Sequence, residues 1–423
     1  MDDFHFHNEK AYCENVCLET IANRVGTPAY VYSRHTLNAH LMRFKRAFSQ
    51  HPTLTCFAIK ANSNHTILSE IARAGFGGDL VSGGELKRAL RAGMDPKTLV
   101  FSGVGKRREE IIAALQAGIL SFNVESEFEL ELISELAQNL GVKAPVSLRI
   151  NPNIDAITNP KITTGLLSSK FGVSEAEGLA LFQKYSQSEH IEFVGIACHI
   201  GSQLTDLAPL KEAADCMVAY AQKVEKAGCR LRYMNMGGGL GIRYNEERLP
   251  ELEDYAAILI DAAKKAQLQL IVEPGRVILG NAGILLTKVL GVKKQEGGKT
   301  FVVVDAAMND LLRPTLYDSY HEILACKQSS DVFESCDVVG PICETGDYFG
   351  KNRTLAKVAA GDCIYVRSCG AYASSMASNY NSRARAAEVL VDKEHFHIIR
   401  DREPLESLWQ LEADIELKGW SDE

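Results

Sequence analysis

The chain has no uninterrupted apolar run approaching the ~18 residues that a membrane-spanning helix needs, and no long run of one charge. The second absence, with a formal net charge of -8 from 46 basic and 54 acidic residues, argues against nucleic acid or an anionic membrane as partner. A small-molecule ligand fits better. The N-terminal stretch MDDFHFHNEKAYCENVCLE is acidic and has no apolar core preceded by positive charge, so it does not read as a secretory signal and points to the cytosol. No internal repeat, low-complexity tract or Pro-rich linker is evident. Cysteine is too sparse for a disulfide scaffold: there are 11 in 423 residues, and the odd number leaves at least one thiol free. The nearest approach to a metal spacing is Cys13 and Cys17 in CENVC, with His5 and His7 nearby. No second ligand pair follows at finger spacing, and no metal site is expected.

What is present is a hydrophobic content of 46%, enough for a large core, and a length that suggests two domains. From residue 54, short β-rich runs alternate with amphipathic helical patterns. The runs are LTCFAIKAN, GGDLVS, TLVFSG, SFNVES, PVSLRINP, FVGIACHIGS, YMNMGGG and LQLIVEPGR. Between them ELKRALRAG (85–93), KRREEIIAALQAG (106–118) and FELELISELAQNLG (128–141) carry apolar residues at every third or fourth position and close on glycine, as a left-handed helix cap prefers. Eight β-then-α units predict an α/β fold with a (β/α)8 barrel, a doubly wound open sheet being the alternative. After about residue 282 the pattern changes to strands without intervening helices: GILLTKVLGVKK, KTFVVVDAAM, SCDVVGPIC, GDCIYVRSCGAY, AAEVLVD and HFHIIR. These predict a mainly antiparallel β-domain, which TPAYVYS (27–33) joins or borders. The expected division is a barrel over 36–282 and a β-domain formed by 1–35 with 283–423.

Catalytic residues of such barrels sit at the C-terminal ends of the strands. There the sequence places Lys60, Asp79, the RINP stretch, His199 with IGS, the glycines 237, 238, 239 and 241, and Glu273 with Arg276. Each has a structural alternative: a lysine at a strand end snorkels, a histidine sits satisfied in a core, Glu273 and Arg276 form a local ion pair. Their convergence on one face favours chemistry. Glycines directly after a strand let backbone N–H groups approach a phosphate, and they fall on the seventh strand, where barrels seat one. A lysine, a phosphate seat, an imidazole and a carboxylate across the barrel together describe pyridoxal 5'-phosphate: the lysine binds its aldehyde, and the carboxylate keeps its ring nitrogen protonated.

The motifs FAIKAN, GDLVSGGEL, KITTGLLSSKFG, CHIGSQ, GGGLGIRY, VEPGR, MNDLLRPTLYDSYH and GPICETGDYF, spread from TPAYVYS to CGAYASSMASNYN, resemble the fold-type III pyridoxal phosphate-dependent decarboxylases, and among them most closely the diaminopimelate decarboxylase family. The resemblance implies that Lys60 carries the cofactor, that His199 stacks on its ring, and that Ser202 with Gly237, Gly238 and Gly239 holds the phosphate. It pairs Glu273 with the ring nitrogen, adds Asp79, Gly275 and Arg276 to the cofactor-binding set, and puts Tyr372 near both phosphate and substrate. Arg276, Arg313, Tyr317 and Glu344 are the implied substrate-binding residues. Cys343 is the implied proton donor, contributed with Glu344 by the second subunit of a homodimer, with the released Lys60 as the alternative donor. Two departures stand out: NPKITTG where the family often has His-Pro-Tyr-(Ile/Val)-Ser-Thr-Gly, and CETGD where it has Cys-Glu-Ser-Gly-Asp.

The implied reaction is decarboxylation of meso-2,6-diaminopimelate to L-lysine and CO2, the last step of lysine biosynthesis. A distal zwitterion calls for arginine as well as glutamate, and Arg276, Arg313 and Glu344 offer both signs. The competing readings are a related decarboxylase acting on carboxynorspermidine, ornithine or arginine, and a cofactor-binding regulator without activity. The polar loop ICETGD favours a catalytic Cys343 over one more buried cysteine.

Overall fold

The computed structural model describes residues 2–156, 161, 164–166 and 169–413. All eight predicted runs form strands: Thr53–Ala58, Gly77–Leu80, Leu99–Phe101, Ser121–Val124, Ala144–Arg149, Ile191–Ala197, Tyr233–Asn235 and Gln269–Val272. Every neighbouring pair is parallel, and the eighth strand pairs with the first in the register Leu270↔Thr53, so the sheet closes into a barrel. Closure excludes the open sheet. The strands are short and mostly buried, as expected where side chains fill the inside and helices cover the outside. Helices Arg108–Ala117 and Glu127–Leu140 end on Gly118 and Gly141, at φ 67° and 65°, where a left-handed residue turns the chain back toward the next strand.

The second sheet runs in the order Tyr348–Ala356, Val332–Val339, Thr300–Val304, Gly283–Lys294, Ala29–Ser33, Ala387–Asp392, His395–Arg400. Ala29–Ser33, whose five residues are all buried, joins its centre. Two pairings are parallel: Ala29–Ser33 with Ala387–Asp392, and Thr300–Val304 with Val332–Val339. Parallel neighbours need a long crossover. The first pair has the whole barrel between its strands, the second a connection containing Arg313–Tyr317 and Ile323–Ala325. Five strands escape the sequence pattern. Tyr348–Ala356 is interrupted by the exposed Lys351 and Asn352, Ile323–Ala325 is only three residues long, and Phe4–His7, Lys10–Cys13 and Val16–Cys17 form a small antiparallel sheet of their own.

The two sheets meet beside the first barrel loop. Asn62 donates through Nδ2 to the Tyr32 hydroxyl at 3.0 Å and to the Gly370 carbonyl at 3.2 Å, and the Tyr372 N–H donates to the Ala61 carbonyl at 2.8 Å. These bonds bring the 368–376 segment over the barrel mouth, next to Lys60.

Candidate active site

The first barrel strand stops at Ala58 and tightens into a single turn, Ile59–Ala61. Ile59 and Ala61 point into the core, so Lys60 between them is turned into the cavity, where 43% of its side chain is accessible. Its Nζ lies 2.5 Å from Oδ2 of Asp79, a fully buried carboxylate in the second strand whose Oδ1 has no partner among the described residues. Burial opposes the charge on Lys60, but Asp79, Tyr372 and Glu273 outweigh it and hold its pKa above the ordinary lysine range. Glu85, in the first turn of the following helix, accepts from the Val81 N–H at 2.8 Å; burial, with Asp79 adding, pushes its carboxyl up to about 7.

Glu273 follows the eighth strand, which neighbours the first strand that ends at Lys60. Oε1 accepts from Asn235 Nδ2 at 2.6 Å and from Asn123 Nδ2 at 3.3 Å. Burial, reinforced by Asp79 and opposed by Lys60 and the Asn235 bond, pushes its pKa up to about 7. A carboxyl poised there can hold or release a proton at neutral pH. Asn235 also accepts the Gly237 N–H at 2.9 Å, tying the carboxylate to the glycine loop. The sequence reading did not single out the two asparagines. Their signal was a lone amide near the end of an apolar strand in SFNVES and in YMNMGGG.

His199 follows the sixth strand, and its Nδ1 accepts the Gly238 N–H at 3.3 Å, which leaves the ring proton on Nε2. Burial, with Arg149 and Lys60 adding, lowers its pKa to about 3, so the imidazole is neutral. A Cβ on Gly237 would lie 2.7 Å from His199 Nδ1, and one on Gly238 would run into the Glu273 carbonyl oxygen. Gly237 and Gly239 adopt φ of 64° and 106°. Only glycine fits this tightly folded cradle. Ser202 closes it, accepting from Arg276 Nη2 at 2.9 Å. Gly241 lies just outside, its N–H donating to the Leu204 carbonyl.

These groups surround a cavity of about 400 Å³ whose lining includes Lys60, His199, Ser202, Gly238, Gly239, Glu273, Gly275, Arg276, Arg313, Tyr317 and Tyr372. Asp79 and Gly237 stand behind that wall. Arg149, at the end of the fifth strand, also lines it, fixed by both oxygens of Glu125 at 3.2 and 3.1 Å and lying 4.6 Å from the Phe171 ring centre. Cys343 and Glu344 are not in the lining. They are exposed on the loop after Val332–Val339, where the Cys343 N–H donates to Asn381 Oδ1 at 3.2 Å and Glu344 Oε2 accepts from Tyr380 at 3.0 Å. In NPKITTG, Asn159, Pro160, Ile162 and Thr163 lie outside the described residues; Thr164 donates through Oγ1 to the His199 carbonyl at 2.7 Å.

The arrangement fits pyridoxal phosphate on its own terms. An amine faces a carboxyl poised near neutrality, a cradle with no room for a Cβ suits a phosphate, and the buried Arg276 Nε beside it has no partner among the described residues. Among those residues no group of three or more histidine, cysteine or carboxylate side chains could hold a metal ion, and no helix is long and apolar enough to cross a membrane.

Comparison with known proteins agrees. The profile of the pyridoxal-dependent decarboxylases, pyridoxal binding domain, matches residues 34–280. A diaminopimelate decarboxylase of Pseudomonas aeruginosa is 47% identical over 98% of this chain and 99% of its own length. The crystal structure of diaminopimelate decarboxylase from Helicobacter pylori complexed with L-lysine superposes with a TM-score of 0.90 at 45% identity, covering 93% of this chain and 98% of that one. The M. jannaschii diaminopimelate decarboxylase in co-complex with L-lysine gives 0.93 at 36% identity over 98% of both chains. With its barrel, its cavity and near-full-length identity all in agreement, the chain belongs to the diaminopimelate decarboxylase family of pyridoxal-dependent decarboxylases.

Proposed function

We infer that this chain is a pyridoxal 5'-phosphate-dependent carboxy-lyase that converts meso-2,6-diaminopimelate to L-lysine and CO2, the last step of lysine biosynthesis. The observation that carries the reading is one cavity lined by Lys60, Glu273, Arg276 and Arg313 together. The amine of Lys60 and the carboxyl of Glu273 serve the cofactor, and two guanidiniums serve a substrate that bears a second carboxylate. When bound, pyridoxal phosphate supplies a sink for the electron pair left on the substrate carbon as CO2 departs. Lys60 would hold the cofactor through its amine, with Asp79 as its charge partner. Glu273 holds a proton at the ring nitrogen, its own carboxyl kept in place by Asn235 and Asn123. Neutral His199 offers a flat face for the ring without adding charge, and the cradle of Gly237, Gly238, Gly239 and Ser202 takes the phosphate, Asp79, Gly275, Arg276 and Tyr372 completing the set.

The substrate's distal end meets Arg276, Arg313 and Tyr317. Its ammonium requires a carboxylate, and Glu344 is the residue assigned, reaching the cavity from the second subunit of a homodimer. Its exposure on the loop after Val332–Val339 supports that assignment. Cys343 comes with it and delivers the proton to the carbon that lost CO2. The site thus draws on both proposed domains, 36–282 and 1–35 with 283–423. The test is CO2 release measured side by side with meso-diaminopimelate, L-lysine, ornithine and arginine. Rapid release from diaminopimelate alone is expected; preference for ornithine or arginine moves the chain to the basic amino-acid decarboxylases.

A further inference from the structure

Tyr244 ends the stretch GGGLGIRY but does not line the cavity; it stands behind the far wall, 8% exposed. Its hydroxyl accepts from Arg276 Nη1 at 2.6 Å. The guanidinium of Arg276 lies 5.8 Å from its ring centre and that of Arg313 5.1 Å. His321 meets the same ring edge-on, at 5.1 Å between centres and 73° between planes. One phenol is therefore shared by two guanidiniums that are themselves 5% and 7% exposed. Among the described residues neither has a carboxylate partner, and the Nε of each is buried without an acceptor.

Two like charges held this way repel, and a low-dielectric wall makes the repulsion stronger. Burial lowers the pKa of Arg313, and Arg276 adds to that against the opposing pull of Tyr244. The electron-rich face of an aromatic ring and a hydroxyl acceptor are the neutral groups that best tolerate cations. His321 adds no third charge. Its Nδ1 donates to the Arg367 carbonyl at 2.8 Å, so Nε2 carries no hydrogen, and burial keeps the ring neutral. What the pair lacks is an anion, and a carboxylate matches two guanidiniums in geometry and charge.

We propose that Tyr244 is a positioning residue for specificity, spacing Arg276 and Arg313 as a single carboxylate-reading pair. This rests on the function proposed above: the carboxylate read is the one at the non-reacting end of diaminopimelate, which L-lysine retains. L-Lysine and 1,5-diaminopentane share two amines on one carbon chain and differ by that carboxylate. Each is measured as a competitive inhibitor of meso-diaminopimelate turnover by the wild type, Y244F and Y244L, at saturating pyridoxal phosphate with loading followed by absorbance.

The wild type is expected to prefer L-lysine. Y244F keeps the ring and loses the acceptor, and its preference should shrink about tenfold, the order expected for one hydrogen bond to a charged group; Y244L should shrink it further. The KM for diaminopimelate should rise in step while kcat changes less than about threefold, with diaminopentane binding and the cofactor spectrum unmoved. Because Y244F is nearly isosteric, it carries the test if Y244L does not fold. Equal weakening of both inhibitors by Y244F, or an unchanged preference, overturns the proposal and leaves the substrate reading standing. A wild type that neither converts diaminopimelate nor prefers L-lysine overturns that reading and this proposal together.

Discussion

At the scale of single residues the site is governed by burial set against charge. Lys60 is kept cationic by Asp79 in spite of burial, and the pair holds the amine at a fixed place in the cavity mouth. Borohydride reduction of the loaded enzyme followed by peptide mapping should therefore find the pyridoxyl label on Lys60; a label on any other lysine contradicts the arrangement. Glu273 shows the opposite balance, its carboxyl raised from 4.5 to about 7 mainly by burial. In the unfolded chain it ionises at the lower value, so below about pH 4.5 it is protonated in both states and its titration does not affect stability. Between about pH 4.5 and 7 the unfolded chain gives up this proton while the folded apoprotein keeps it, and stability is lost through that window. E273Q removes this titration. Its apoprotein melting temperature relative to wild type should climb from pH 4.5 to 7 and then level off; a difference independent of pH would show that Glu273 titrates normally.

At the scale of elements, the glycine loop after the seventh strand leaves no room for a side chain. In G238A the new methyl meets the Glu273 carbonyl oxygen, which is backbone at the end of a barrel strand and has little room to yield. The substitution should cost about 1 to 3 kcal/mol of stability and weaken pyridoxal phosphate binding at least about tenfold, measurable by thermal melts and by cofactor titration. Unchanged affinity would remove the loop from the phosphate seat. The barrel was legible because each strand is an unbroken β-rich run followed by a helical period, and because chemistry-bearing residues fall where the strands end. The second sheet was less so. Tyr348–Ala356 carries charged and polar residues in its middle, and its place is set by pairing with Val332–Val339 rather than by its own pattern. In the site, Lys60, His199 and Glu273 stand out at strand ends, whereas Asn123 and Asn235 act through the Glu273 carboxylate and Tyr244 acts on two guanidiniums from behind the cavity lining. Such roles emerge only from distances.

At the scale of the whole molecule, the cavity of one chain contains Lys60 but not Cys343 or Glu344, although the family resemblance assigns all three to one active site. The homodimer with shared sites proposed above would reconcile these facts. Mixing inactive K60A and C343A subunits should restore up to about a quarter of wild-type activity, because random pairing makes half the dimers mixed and each retains one intact site of two. No recovery after demonstrated subunit exchange would mean that each chain builds its site alone. The central claim is the reaction itself. Turnover of meso-2,6-diaminopimelate in D2O, followed by CO2 measurement and mass spectrometry of the amino-acid product, tests it most directly. The account predicts equimolar CO2 and L-lysine, with one non-exchangeable deuterium on the carbon that lost its carboxylate. Absence of CO2, or a product other than L-lysine, would contradict it.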